Sequence, residues 1–426
     1  MRRLFADTTP LRQPDFRRLW WAGVPTVIGA NLTIFAVPVQ LYELTENSAY
    51  VGLAGVFGLV PLVVFGLWGG AWADAMDRRT LLIIASIGLA LSSVLLWVQA
   101  ALGWNNVWAV LWLLALQQAF FAINSPTRSA AIPRMLPDEQ LPAANSLNMT
   151  VQQFGAIVGP LLAGLMLAWV DLSTLYFVDA LTCLAPIWAT IRLTPMPPTE
   201  SPAVEGASRW GFGAVLDGFR YLAGNVVVLM SFVVDLIAMI FGMPRALFPQ
   251  MAHESFGGPI EGGTTMALLS AAMSVGAVAG GVFSGWLPRV RRQGLAVVAA
   301  ILVWGVGMVG FGIAAGQGHG GTGVALWIAL AFLAIGGAAD MVSAAFRSTI
   351  LQQAASDDLR GRLQGVFTVV VAGGPRIADT LHGGAAAVIG TTAAAAGGGG
   401  LVLVGVLIAT AAVPAFVRYR VSVVND

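Results

Sequence analysis

The sequence contains no lysine and one cysteine, and charged residues occupy only 10% of its 426 positions. Soluble domains usually carry about 25% charged residues, so an ordinary soluble domain is not the expected class. The single Cys183 excludes an internal disulfide or a cysteine-based zinc framework. The net charge of +1 gives no basic footprint, so we expect no nucleic-acid partner.

Patterns for chemical catalysis are also missing. His253, His319 and His382 lie far apart and show no metal-ligand spacing. No G-x-x-x-x-G-K-[ST] phosphate loop is present, and the glycine-rich stretch 316–323 lacks the strand-to-helix context of a nucleotide site. We therefore predict that the protein is not an enzyme and uses no cofactor or resident metal. If the protein drives an energy-requiring process, an ion gradient rather than ATP hydrolysis by this chain would supply the energy.

What the sequence does contain is apolar residues, which make up 57% of it and give a mean hydropathy of +0.80. A bilayer core of about 30 Å needs about 20 apolar residues per helix. Because lipid offers no hydrogen bonds to the backbone, such runs are expected to be helices. Twelve runs are predicted as spans: 20–42, 50–73, 80–101, 107–128, 143–168, 173–192, 223–248, 263–286, 293–315, 323–346, 362–388 and 395–417. The Gly/Ala-rich stretch 390–400 is predicted as the turn between the last two.

The arginines are distributed asymmetrically between the segments that connect these spans. Cytoplasmic loops of membrane proteins are enriched in basic residues. With both termini in the cytoplasm, 20 of the 22 arginines fall in or next to inner segments and none in outer loops. The two exceptions, Arg245 and Arg376, lie in or at the edge of spans. We therefore predict a multi-pass protein of the bacterial inner membrane with cytoplasmic termini.

The two halves of the chain resemble each other. "DFRRLWW" before the first span is similar to "GFRYLAG" before the seventh, and a Gly-Pro pair occurs in both the fifth and the eleventh span. A polar, proline-rich stretch separates the halves, as expected of a linker. We predict an all-α membrane protein of two pseudo-symmetric six-helix bundles, residues 1–192 and 223–426, joined by a cytoplasmic linker, 193–222. Internal repeats of this kind are typical of secondary transporters.

Several motifs resemble those of the major facilitator superfamily. "GGAWADAMDRR" after the second span is similar to the superfamily's G-x-x-x-D-R-x-G-R-R loop, with Ala75 where an arginine is usual. "FRRLWWAG", "AVPVQLYELT" and "LRGRLQGVF" look most like the enterobactin exporter branch. This resemblance implies a monomeric exporter of an amphipathic small molecule, a siderophore, by proton antiport. A multidrug or macrolide efflux pump is the alternative, and an importer or a receptor that uses the same fold remains open.

The resemblance also implies a conformational latch on the cytoplasmic side. Asp74 falls at the C-terminal end of a helix, which is unfavourable for an anion, so it should need a positive partner. The start of the eleventh span would supply one, since helix N-termini attract anions. The latch set comprises Gly70, Asp74, Asp77, Arg78, Arg79, Arg360 and Arg362. The arginines of this loop could instead serve only to fix the orientation of the protein in the membrane.

The fifth span carries "GAIVGPLLAG", a pattern that resembles one in proton-coupled drug exporters. Gly155, Gly159 and Gly164 allow a neighbouring helix to approach closely, and Pro160 removes one backbone hydrogen bond and bends the helix. We predict a hinge at this motif, at the interface of the two halves.

Ionisable residues inside spans are costly, and each is a hypothesis of function. Asp235 lies in the middle of the seventh span and is our first proton-coupling residue; an ion pair, with Arg245 or with another span, is the structural alternative. Arg376, Asp379 and His382 are spaced three residues apart and share a helix face. This face could relay protons or bind an anionic group of the substrate. Alternatively, Arg376 and Asp379 could neutralise each other as a structural ion pair.

Two further acids and a set of amides complete the predictions. Asp340 is expected to pair with Arg347 or with the inner loop, and Asp179 is expected to be peripheral. Uncharged polar residues could bind substrate in a central cavity, together with Arg245. They are Asn31, Gln40, Gln117, Gln118, Gln152 and Gln153.

Overall fold

The computed structural model of the protein describes residues 7–197, 225–354 and 357–419; within them, the side chains of 67, 69–71, 73–75, 138, 288, 351–354 and 357–372 are not described. In these described ranges all regular secondary structure is helical, which confirms the predicted all-α class. The long helices are α1 Pro14–Thr45, α2 Ser48–Ala75, α3 Arg78–Ala101, α4 Val107–Met135, α5 Leu141–Met166, α6 Leu172–Ile191, α7 Val226–Ser255, α8 Thr264–Val282, α9 Gln293–Gly316, α10 Val324–Ala354, α11 Asp357–Ile389 and α12 Thr391–Ala412.

Eleven of these helices are long and apolar enough to cross a membrane, counted over the described residues. The other one, α11, holds the predicted eleventh span, and the side chains of its first half lie outside the described set. The chain is therefore a multi-pass membrane protein. Large apolar side chains such as Trp112, Trp169 and Val388 are exposed at the helix surfaces, as expected where lipid replaces water.

The turn predicted over 390–400 is wrong. Only Gly390, with φ +83°, interrupts the chain between α11 and α12, and the run "TTAAAAGGGG" is already helical. In water a glycine inside a helix costs about 1 kcal/mol relative to alanine. In lipid an unpaired backbone group costs more than that, so this glycine-rich segment remains helical.

Two helices are interrupted within their spans. Helix α6 has a break at Cys183, between the segments Leu172–Thr182 and Leu184–Ile191. Helix α7 is regular over Val226–Gly242; it then continues through a 3-10 turn at Arg245–Leu247 to a π-helical turn at Met251–Ser255. Pro244 and Pro249 lie in this second part, and each lacks the N–H that a regular helix needs.

The chain divides into two compact units. The first comprises residues 1–44 and 57–211, and the second comprises residues 45–56 and 212–426. The beginning of α2 therefore belongs with the second unit, although the rest of that helix belongs with the first. Of the predicted linker 193–222, the part from 198 onward lies outside the described residues.

Within the first unit, α3 packs against α4 and α6. A core of Phe16, Ile132, Leu136, Ala144 and Leu147 joins α1, α4 and α5. Asn106 begins α4 by accepting hydrogen bonds from the backbone N–H groups of residues 108 and 109, at 2.9 and 3.2 Å, which satisfies donors that a helix start leaves unpaired.

Within the second unit, α9 packs between α10 and α12, and α8 crosses α10 at very short range. Glycine makes that crossing possible. A Cβ at Gly276 would overlap the carbonyl oxygen of Ala334, and a Cβ at Gly337 would overlap that of Met273. The beginning of α2 meets α11 in the same way, since a Cβ at Gly52 would lie 2.8 Å from the carbonyl oxygen of Asp379.

Candidate functional site

A buried group of three charges lies inside the second unit. Asp235 of α7 forms an ion pair with Arg347 of α10, and their side chains are 2% and 7% exposed. A second acid, Asp340, lies two helical turns before Arg347; one of its oxygens is 3.7 Å from the guanidinium, and its side chain is 28% exposed. Two carboxylates therefore share one guanidinium, so the group carries one excess negative charge when both acids are ionised.

Of the two ion-pair partners predicted for Asp235, Arg245 or a residue of another span, the second is present, because Arg347 lies on α10. Helix α10 continues to Ala354, beyond the predicted end at 346, so Arg347 lies within the helix. The expected pairing of Asp340 with Arg347 is present. The position of Arg347 could have been inferred from its spacing of seven residues from Asp340, which puts both on one helix face.

A second charged group includes α11 and the break in α7. The Arg245 guanidinium lies 3.9 Å from the Asp379 carboxylate, with side chains 46% and 23% exposed. Asp379 also accepts a hydrogen bond from the backbone of Ala246, and Arg376 lies close enough to interact electrostatically with both. Here two cations meet one anion, the opposite charge balance to that around Arg347. An excess positive charge suits an anionic ligand group.

His382, expected to share this polar face, is buried and lies against the end of the regular part of α7. Its Nε2 is 3.1 Å from the Phe241 carbonyl oxygen, and the Trp304 indole N–H donates to the Gly242 carbonyl at 3.0 Å. These carbonyls occur where the α-helix stops and leaves acceptors unpaired. The contact of His382 therefore caps α7, and that ring nitrogen is a donor.

The predicted cavity residues of the first unit fall into different environments. Gln40 is buried and forms a closed set of hydrogen bonds with Gln99 and with the Tyr176 hydroxyl, which donates to it at 2.9 Å. Gln117 is half-buried and donates to Ser93 at 3.1 Å. Gln118 is half-buried, and Gln152 and Gln153 are exposed. In the hydrogen bonds described here, Gln40 and Gln117 thus belong to two separate groups.

The glycine motif of the fifth span packs on the first span, within one unit. Asn31 donates to the Val27 carbonyl at 2.8 Å, and these two residues of α1 lie directly over Gly155 and Gly159 of α5, where a Cβ would overlap them. The partner of this glycine surface is thus α1. Pro160 and Gly164 are buried on the same helix.

Three of the latch residues have described partners, all in the first unit. Asp77 begins α3 by accepting from the Thr80 N–H at 3.1 Å, and its other oxygen accepts from the Met196 N–H at 3.0 Å. Arg78 donates to the Ala130 carbonyl and Arg79 to the Ile191 carbonyl. These contacts join the loop before α3 to the ends of α4 and α6. The other latch residues lie outside the part of the chain whose side-chain environments are described; they are Gly70, Asp74, Arg360 and Arg362.

Asp179, which the sequence predicts to be peripheral, is buried inside the first unit. Asp179 of α6 is 1% exposed, and its carboxylate accepts hydrogen bonds from Thr33 of α1 and Ser93 of α3, at 2.7 and 2.8 Å. The error came from helix rotation, because an isolated acid in an apolar run gives no sign of which face it occupies. The polar residues that surround it are spread over three other spans.

A comparison with protein families identifies the group of proteins to which these two helical units belong. The family model described as Major Facilitator Superfamily matches residues 19–378. The chain belongs to the Major Facilitator Superfamily.

Curated relatives within the superfamily are exporters by name. "Enterobactin exporter EntS" of Shigella boydii serotype 18 is 27% identical over 373 residues, which cover 87% of this chain and 85% of the relative. The protein of the same name from Escherichia coli is 26% identical over the same length. The resemblance to the siderophore exporter branch is therefore confirmed.

Solved structures support the fold. A bacterial homologue of the human lysosomal transporter Spinster has a TM-score of 0.73 at 14% identity, covering 98% of this chain and all of the other. The nucleoside transporter NupG has a TM-score of 0.69 at 14% identity, covering 96% of this chain and all of the other. Such identities establish the superfamily fold and say nothing of substrate. Together these findings identify the protein as a membrane transporter rather than an enzyme.

Proposed function

We propose that this transporter exports an amphipathic small molecule, a siderophore, from the bacterial cytoplasm across the inner membrane. The observation that carries the proposal is the similarity to enterobactin exporters over 87% of the chain. The cationic group of Arg245, Arg376 and Asp379 supports it as well, because siderophores present anionic oxygen groups that two guanidinium groups could bind. Transport proceeds by alternating access, with the monomer as the working unit and both termini in the cytoplasm.

We further propose that a proton gradient drives the export. Asp235 is the first candidate for coupling. Asp235 and Asp340 both lie near Arg347. When either acid binds a proton, the other acid and Arg347 form a pair with no net charge. Such an exchange of partners is a two-state element that proton binding can bias. Asp379, with Arg376 and His382, is the second candidate.

Two other parts of the chain would serve the conformational change. The loop before α3, with Asp74, would close on the beginning of α11 near Arg360 and Arg362 when the cytoplasmic side shuts. The α5 motif around Pro160 would bend as the unit moves. The ties of Asp77, Arg78 and Arg79 within the first unit support this role of the loop, because they hold it in place.

Siderophore secretion tests the substrate. In an Escherichia coli strain that lacks its enterobactin exporter, expression of this protein under iron limitation is expected to restore catecholate in the medium and lower it inside the cells. The empty vector is the control. Unchanged secretion would reject the siderophore. If the same cells instead gain resistance to macrolides or dyes, the protein is a multidrug or macrolide efflux pump of the same fold.

A pH-gradient assay tests the coupling. In inverted membrane vesicles, an acid interior is expected to accelerate siderophore uptake by the wild-type protein. Asp235→Asn should reduce that uptake to the rate without a gradient, because the amide cannot exchange a proton. Asp171→Asn, an exposed acid at the beginning of α6, is the matched control and should behave as the wild type. If the Asp235→Asn variant still responds to the gradient, the coupling moves to Asp379 and His382.

A further inference from the structure

The acid in the middle of the first unit has no cation beside it among the described residues. In the described part of the chain, the other three acids predicted inside spans each have a guanidinium within 4 Å: Asp235 and Asp340 have Arg347, and Asp379 has Arg245. No basic side chain in that part of the chain pairs with Asp179. A buried, unpaired carboxylate inside a membrane is expensive, so this site requires an explanation of its own.

Neutral donors from three helices surround the carboxylate instead. The Thr33 and Ser93 hydroxyls donate to Oδ2 at 2.7 and 2.8 Å, and the Gln117 amide lies at 3.5 Å from the same oxygen. Gln117 also donates to the Ser93 oxygen at 3.1 Å, so that the amide, the hydroxyl and the carboxylate form a chain. Thr33 and Ser93 are themselves 2% and 0% exposed. This set of three donors around one acid we call the Asp179 cage.

Gly29 of α1 packs against Thr182 and against the other oxygen of the Asp179 carboxyl group. A Cβ at Gly29 of α1 would lie 2.8 Å from Oδ1 and 3.1 Å from the Cα of Asp179. Glycine at this position therefore lets α1 approach the acid on α6 closely. The contact couples the carboxyl group directly to the packing of α1 on α6.

This environment accommodates both protonation states. Hydrogen bonds from two hydroxyls and an amide stabilise the carboxylate, whereas burial without a cation favours the neutral acid. A hydroxyl both donates and accepts, and the hydroxyl of a helical threonine can turn to the carbonyl one turn earlier. Thr33 can thus donate to the carboxylate, or accept from the protonated acid, without movement of a helix.

We propose that Asp179 is a proton-binding site of the first unit and that the proton it carries is used in transport. The proposal rests on the export function proposed above and adds a coupling site in the half of the protein where sequence reasoning expected none. A proton fits better than a metal cation, because the cage directs its hydrogens at the carboxylate, where a cation would need oxygen lone pairs. Among the described residues, the other titratable groups that interact with Asp179 are Cys183 and Tyr176, and the exposed Glu43 interacts in turn with Tyr176.

Proton binding can be tested without a substrate. We would follow the carboxylic acid C=O band by infrared difference spectroscopy while the purified, lipid-reconstituted protein is titrated with acid. Asp179→Asn is expected to remove one titrating band, and Asp171→Asn should leave the spectrum of buried acids unchanged. Cys183→Ala and Tyr176→Phe should leave this band in place, because neither a thiol nor a phenol carries a carboxylic C=O group. Repeating the titration with sodium in place of choline identifies the ion: a midpoint that follows the sodium concentration would overturn the proton in favour of sodium.

Transport then separates this proposal from the proposed function. In the vesicle assay, Asp179→Asn should lose acceleration by the acid gradient and keep the slow, gradient-independent exchange of enterobactin. A variant that is still accelerated would overturn the coupling role. If the wild-type protein is not accelerated and the Asp179→Asn variant still lacks the infrared band, export by proton antiport is wrong while the proton site stands. Should the Asp179→Asn variant fail to fold, Thr33→Val with Ser93→Ala keeps the acid and removes two donors; an unchanged titration midpoint in that variant would contradict the cage.

Discussion

Replacing Arg347 by methionine is expected to destabilise the folded protein by about 3–5 kcal/mol, the usual cost of removing one partner of a buried ion pair. The change would leave Asp235, whose side chain is 2% exposed, without its cation, and Asp340 would lose the same partner. Methionine fills a similar volume, so the loss would report charge rather than a cavity. The measurement is thermal unfolding in detergent together with the amount of folded protein in the membrane.

The matched control is Arg245→Met in the same unit. The Arg245 side chain is 46% exposed and lies 3.9 Å from its acid, and an exposed ion pair contributes about 0–1 kcal/mol. A double variant, Asp235→Asn with Arg347→Met, should recover much of the stability, because no unpaired charge remains at the most buried position. Equal losses for Arg347→Met and Arg245→Met would contradict the description of the Asp235–Arg347 pair as the deeply buried one.

The double variant also separates stability from function. If the Asp235–Arg347 pair has only a structural role, the double variant, which replaces both charges by neutral side chains, should transport normally. If Asp235 exchanges a proton, the stable double variant should still fail to respond to a pH gradient. The same protein sample thus answers both questions, since its unfolding temperature and its transport rate are measured side by side.

Most of the fold could be predicted from the sequence because the membrane restricts what a backbone can do. The positions of eleven spans followed from apolar length alone, and the largest error, the turn at 390–400, came from applying water-based propensities of glycine to lipid. The ends of spans were less predictable. Helix α10 continues past its predicted end to Ala354, and that extension decides the position of Arg347.

The charged groups could be predicted only in part. Asp235 and Asp379 stood out because an acid in an apolar run is rare, whatever it contacts. Their partners depend on helix rotation and on which helices are neighbours, and the local sequence determines neither of these. Asp179 was undervalued for the same reason, since its hydrogen-bond donors Thr33 and Ser93 are 146 and 86 residues away in the chain.

The second large effect is expected where α8 crosses α10. Gly276→Leu should prevent this packing, because even a Cβ at that position would overlap the carbonyl oxygen of Ala334 and lie 2.7 Å from its Cα. Main chain cannot turn aside as a side chain can, so the two helices must separate. Overpacking of a core costs about 1–3 kcal/mol. We expect the upper end or more, seen as a lower unfolding temperature and less folded protein in the membrane.

Gly397→Leu on α12 is the matched control. Gly397 is exposed, and a Cβ there would meet nothing within 4 Å. A leucine facing lipid favours insertion of a span, and the loss of a helical glycine favours the helix by up to about 1 kcal/mol. This variant should therefore be as stable as the wild type or slightly more so. If Gly276→Leu is tolerated equally well, the helices do not cross at backbone contact, and the close approach through Gly276 and Gly337 is not what holds α8 on α10.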